Sequence, residues 1–149
     1  MLTIDLRQAA TGDIPTCAQI LHAWHEATEW MPKLHTLAET QSWMGYILFP
    51  TTQVTLAIEG EVPVGFIALE PKGQVVQLQI AQGHRGKGIG GRLLDHARMV
   101  SPKGLSLWCF EANSPALAFY ARHGFRPLRR TTGQNEEGLP DVLLEWRPA

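Results

Sequence analysis

A single α+β domain on a mostly antiparallel sheet is the fold class this sequence predicts, on three observations. Seven short segments read as extended and four carry apolar residues at helical spacing. Three of the extended segments, Gln53–Glu59, Pro63–Glu70 and Gln74–Ile80, follow one another across short turns, which is how antiparallel neighbours are written. No linker, repeat or low-complexity stretch divides the 149 residues, so one domain over residues 1–149 is expected.

The elements follow in order. Leu2–Arg7 alternates like a strand. Asp13-Ile14-Pro15 opens a helix, with Thr11 or Asp13 as cap and proline in the first turn, and Ile14, Cys17, Ile20, Leu21 and Trp24 form its apolar face. Thr36 and Glu39 have capping-box spacing for a second helix reaching about Leu48. Gln53–Glu59 and Pro63–Glu70 make a hairpin around Gly60-Glu61, and Gln74–Ile80 is the adjacent strand. Ile89–Met99 is helical, Leu105–Phe110 extended, and Pro115–His123 helical with Ser114 as N-cap. Phe125–Arg130 and Asp141–Trp146 are the last strands, around the polar loop Thr131–Gly138.

Composition narrows the functional classes. The net charge of −1 gives no basic face for general nucleic-acid binding. Cys17 and Cys109 are too few for a disulfide framework and sit in apolar patterns, as thiols of a reducing compartment do. No apolar run reaches membrane-spanning length and the N-terminus lacks a signal-peptide pattern. A cytoplasmic protein is expected, with no membrane or nucleic-acid partner.

The densest information lies in His84-Arg85-Gly86-Lys87-Gly88-Ile89-Gly90-Gly91, between a strand and a helix. Glycines let the main chain approach an anion, and a helix start offers unpaired N–H groups and a positive dipole end. Gly86-x-Gly88-x-x-Gly91 matches a dinucleotide fingerprint, with Glu111 at a suitable distance downstream. Three features oppose that reading. Five residues separate Ile80 from Gly86, an antiparallel hairpin precedes the motif, and too little chain follows for a second mononucleotide half.

Leu78-x-Ile80 followed by Arg85-x-x-Gly88-x-Gly90 resembles the signature of the GNAT superfamily of N-acetyltransferases. Asn113-x-x-Ala116-x-x-Phe119-Tyr120-x-x-x-Gly124-Phe125 looks like that family's second motif. The resemblance covers nearly the whole chain and implies about seven strands, splayed between the fourth and fifth, with about four flanking helices. It implies acetyl-CoA as cosubstrate, with its pyrophosphate on the main-chain N–H groups of Gly86, Lys87, Gly88, Ile89, Gly90 and Gly91, and with Arg85, Lys87 or Arg92 adding charge. A β-carbon at Gly88 or Gly90 would push the phosphates away. Leu78, Gln79 and Ile80 would pair with the pantetheine arm as an added strand does. The amide at or beside Ile80 would polarise the thioester. Asn113 would hold the same arm or the preceding loop, and Tyr120 would protonate the departing sulfur as general acid.

The implied reaction is direct attack of a neutral amine on the thioester in a ternary complex, with a small-molecule or peptide amine as acceptor and no metal. A non-catalytic acyl-CoA-binding domain on the same fold is the alternative, and Tyr120 favours catalysis. A homodimer is compatible with the resemblance. The base is less defined. Relatives that acetylate protein N-termini carry a Glu where this chain has Trp108, and Gln77 and Gln79 stand where others place a Glu; amides are not bases. Glu26, Glu29, Glu70 and Glu111 remain, with Glu29 favoured because the loop between the first two helices lines the acceptor pocket in such proteins. Trp24, Trp30 and Trp43 are expected as its walls, with Glu26 or Glu29 drawing a cationic amine. His22 and Glu26, one helical turn apart, could hold a metal, but the spacing matches no strong zinc signature.

Overall fold

Apolar side chains on both faces of the central strands decide the architecture. In the computed structural model, which describes residues 3–149, β2 (Gln53–Glu59) and β3 (Val62–Leu69) are almost continuously buried. Val54, Leu56, Ile58, Phe66 and Ala68 face α1 (Ile14–Ala27) and α2 (Leu37–Trp43). Ala57, Ile67 and Leu69 face the opposite layer, around α4 (Ile89–Val100) and Tyr120. A strand covered on both faces reads as an apolar run rather than an alternation, as these two do.

The strands form two antiparallel sheets. One has the order β1 (Ile4–Gln8), β2, β3, β4 (Val75–Ile80); the other has β5 (Leu105–Phe110), β7 (Asp141–Trp146), β6 (Arg126–Arg130). The β2–β3 hairpin turns at Gly60, as expected, and Leu56 pairs with Phe66. The first strand was expected from Leu2, which lies outside the described residues. No helix among the described residues is long and apolar enough to cross a membrane.

Helix starts agree with the sequence at one site and differ at another. Thr36 Oγ1 accepts from the Glu39 N–H at 3.1 Å, and Glu39 Oε1 accepts from the Thr36 N–H at 2.9 Å, completing the capping box. α2 then continues through a π-helical turn at Met44–Leu48 into the single turn α3 (Phe49–Thr51). Thr36→Ala removes the cap and is expected to cost about 1 kcal/mol, read as a lower urea midpoint with an unchanged slope. The cap of α5 (Ser114–Arg122) is Asn113, whose Oδ1 accepts from the Ala116 N–H at 3.3 Å, in place of the expected Ser114. Ser114 occupies the first helical position, ahead of Pro115, where its side chain is one residue too late to cap.

Candidate active site

The two sheets meet through one parallel bridge between Gln74 and Ser106, where the Ser106 N–H donates to Gly73 O at 3.0 Å. Past it, β4 keeps β3 as its only paired strand among the described residues, and the far edge of β4 borders a cleft of about 1590 Å³. A pocket for one small ligand holds roughly 300–1,000 Å³, so this cleft has room for two substrates together.

The cleft gathers Leu78, Gln79, Ile80, Arg85, Gly86, Gly88, Ile89, Gly90, Gly91, Asn113 and Tyr120. Two expected site residues, Lys87 and Glu29, are not in its lining. The Lys87 ammonium lies 3.6 Å from Glu59 Oε1. Glu29 is exposed on the turn after α1, as is Glu26 on the last turn of that helix. The helix ends at Ala27, where the Lys33 ammonium donates to the carbonyls of Glu26 and Thr28, each at 3.2 Å. Trp30 and Met31 then turn inward, which points Glu29 out. Glu70 and Glu111 do not line the cleft either, and Glu111 pairs with Arg130 at 2.9 Å.

At the start of α4 the backbone explains the glycines. Gly88 is the N-cap residue, with φ +80°, the left-handed region that favours glycine. A Cβ built there meets nothing within 4 Å, so the residue serves the turn and leaves open space before the helix. The first helical bond runs from the Arg92 N–H to Gly88 O, so the N–H groups of residues 89, 90 and 91 have no acceptor within the helix. Three free donors at a dipole end, with Arg85 and Arg92 beside them in the lining, fit an anion. Gly90 also lies close against α5. A Cβ there would lie 3.0 Å from Phe119 Cζ, so a side chain would press that ring back by a few tenths of an ångström.

Tyr120 projects from α5 into this junction, only 9% exposed, its ring edge-on to Phe119 and Phe125. Burial, and secondarily the Cys109 thiol, holds its phenol well above the usual range, so it stays protonated. Cys109 and Cys17 are both buried and free. Burial pushes Cys109 up to about 11, keeping it a thiol rather than a nucleophilic thiolate at neutral pH.

The other part of the cleft is supplied by α1, α2, the loop between them and the loop between β6 and β7. Trp24 and Trp43 line it, while Trp30 stands behind, edge-on to Trp24 and to Phe110 with centroids 5.8 Å apart in each case. Trp108 also lines it, with the Arg129 guanidinium over its ring. His35 Nε2 lies 2.6 Å from Glu136 Oε1, tying the two loops together. Most carboxylates of the lining are already engaged. Glu39 closes the capping box, Glu136 meets His35, and Asp141 accepts from Thr131 and Asn135.

His25 is one of four histidines that line the cleft, with His35, His84 and His123, and the sequence patterns did not single it out. Its imidazole packs on Trp24 with centroids 5.2 Å apart and makes no side-chain hydrogen bond among the described residues. Burial, followed by the neighbouring His22, His35 and Lys33 charges and opposed by Glu26, lowers its pKa. It is therefore neutral at pH 7. The signal was its place one residue after Trp24 on a helix whose Leu21 and Trp24 face inward.

Comparison with known proteins places the fold. Residues 50–127 match the family described as acetyltransferase (GNAT) domain. The chain is 24% identical over 147 residues to the peptidyl-lysine N-acetyltransferase YiaC of Escherichia coli, covering 95% of each. Curated relatives from Mycobacterium tuberculosis and Salmonella typhimurium are 35% and 38% identical over 83 and 85 residues; those matches span about half of each relative's length, 48% and 54%. Among solved structures, apo YjaB from Escherichia coli superposes with a TM-score of 0.81 at 23% identity, covering 99% of both chains. The PaiA N-acetyltransferase of Thermoplasma acidophilum in complex with coenzyme A gives 0.72 at 19% identity, covering 98% of this chain and 99% of that one. The chain belongs to the GNAT acetyltransferase family, a family of acyltransferases.

Proposed function

We propose that this protein is an acetyl-CoA-dependent N-acetyltransferase that passes the acetyl group to a primary amine in a ternary complex. One observation carries the reading: the free N–H groups opening α4, the unpaired edge of β4 and the buried, protonated Tyr120 border one cleft. The first binds pyrophosphate, the second takes the pantetheine arm as an added strand, and the third is a proton donor.

Each group then has one task. His25 takes the proton that an ammonium must lose before its nitrogen can attack. The main-chain amide at or beside Ile80 donates to the thioester oxygen as negative charge develops there. As the C–N bond forms and the C–S bond breaks, Tyr120 delivers a proton to the sulfur, and the nitrogen gives up its surplus proton to solvent, from which the Tyr120 phenol is restored. The aromatic lining and the neighbouring carboxylates suit an amine on an aliphatic stem. Lysine in a peptide is the first acceptor to test, since YiaC bears that activity in its name. A cytoplasmic location agrees with the acetyl-CoA requirement.

His25→Gln is expected to lower kcat by about 100-fold. The sign of the pH dependence follows from the lowered pKa. At neutral pH the wild-type imidazole is free to accept a proton, and kcat falls only as pH drops below the ordinary histidine value of about 6.5. The variant should lose that acid limb, and an unchanged kcat–pH profile removes His25 from the mechanism.

Two assays test the function itself. Acetyl-CoA, and not NAD, should raise the melting temperature. Thiol release across a panel of amines then separates an enzyme from a domain that only binds acyl-CoA.

A further inference from the structure

We infer that Glu59 is a positioning residue for the anion-binding loop: it draws Lys87 away from the cleft and anchors His84 at the cleft's edge, so that main-chain N–H groups meet the pyrophosphate. The inference rests on the proposed acetyl-CoA reading of that cleft. Glu59 closes β2, immediately before the turn at Gly60, and its side chain is only 10% exposed. Its Oε1 lies 3.5 Å from His84 Nδ1 and 3.6 Å from Lys87 Nζ, and these two nitrogens are 3.5 Å apart. The three groups therefore form one cluster across the hairpin end and the loop after β4.

The consequence for the cradle is geometric. Lys87 sits between Gly86 and Gly88, which both line the cleft, yet Lys87 does not. A lysine in such a string is the expected phosphate ligand, a mobile point charge. Here its ammonium is held on a carboxylate on the other side of the loop. Few other ties hold this segment: the Ala81 N–H donates to Val64 O at 2.8 Å, and the His84 N–H to Ala81 O at 3.1 Å. Without Glu59, the stretch from 84 to 88 loses its side-chain anchor to the sheet, while the backbone path into α4 must still be held for binding.

The sign of the effect separates positioning from plain electrostatics. Glu59 is a negative charge near a site for an anion, so removing it should tighten pyrophosphate binding if field alone mattered. Freeing Lys87 to reach a phosphate would act in the same direction. A positioning role gives the opposite sign, because a loosened loop spends binding energy on ordering itself.

The experiment compares wild type, Glu59→Gln, Lys87→Met and the double variant. We expect Glu59→Gln to raise the KM for acetyl-CoA about tenfold, the scale of a lost charge-assisted contact, with kcat changed by less than about twofold. Lys87→Met should behave alike, and the double variant no worse than the singles, since all three break one cluster. In parallel, hydrogen exchange of unliganded Glu59→Gln should be faster over residues 82–91 and unchanged over the β2–β3 hairpin. A KM for acetyl-CoA that falls or stays level in Glu59→Gln, or unchanged exchange over 82–91, overturns the inference. If wild-type protein fails to bind acetyl-CoA, the reading of the cleft fails instead, and the exchange measurement still decides whether Glu59 holds the loop.

Discussion

Tyr120→Phe is expected to lower kcat by about 100-fold while the KM for acetyl-CoA stays within about threefold. The substitution removes one oxygen from a ring that keeps its contacts with Phe119 and Phe125. Packing is thereby preserved, and the deleted group is the proton donor. The buried phenol holds its proton above the usual range, which suits a group that must arrive protonated and give the proton up only as thiolate character develops. The loss should appear in kcat and kcat/KM together, the pattern of an interaction made in the transition state. A variant that turns over at the wild-type rate would remove Tyr120 from the chemistry.

Gly88→Glu is expected to weaken acetyl-CoA binding by at least about 100-fold, two costs acting together. A non-glycine residue at φ +80° costs on the order of 1–3 kcal/mol of backbone strain. The new carboxylate would occupy the open space before the three free N–H groups of α4, competing for the anion site and repelling the incoming phosphates. Gly88→Ala separates the two, because it carries the strain without the charge. Titration calorimetry should rank wild type above Gly88→Ala and Gly88→Ala well above Gly88→Glu. Equal affinity for all three would mean that the pyrophosphate binds elsewhere.

Local patterns made much of this legible in the sequence. Thr36 and Glu39 predict their cap because both partners lie within one turn, and it forms as written. The hairpin at Gly60 and the glycine string before α4 depend on backbone conformations that few residues adopt, so composition reveals them. The splay between β4 and β5 came only from the family resemblance, since no local rule says where a sheet parts.

What escaped the sequence depends on contacts between distant segments. Gly90 is expected from sequence only to leave room for phosphate, and the fold alone shows that the ring of Phe119, almost thirty residues on, also crowds that position. Lys87 has the composition of an anion ligand, and only the third dimension brings Glu59 beside it. Glu29 and His25 show the same limit at shorter range. Where α1 stops decides which of them faces the cleft, and that depends on Lys33 reaching back to cap the helix and on Trp30 wedging between Trp24 and Phe110.

Acetyl transfer to an amine in this cleft has a direct readout. The most direct measurement is thiol release from acetyl-CoA in the presence of lysine-bearing peptides and small amines, for wild type and Tyr120→Phe side by side, with the acetylated product identified by mass spectrometry. Amine-dependent release by wild type, matched by product and nearly abolished in Tyr120→Phe, is the predicted result. Release at equal rates by both proteins, or by neither with any amine, would contradict it.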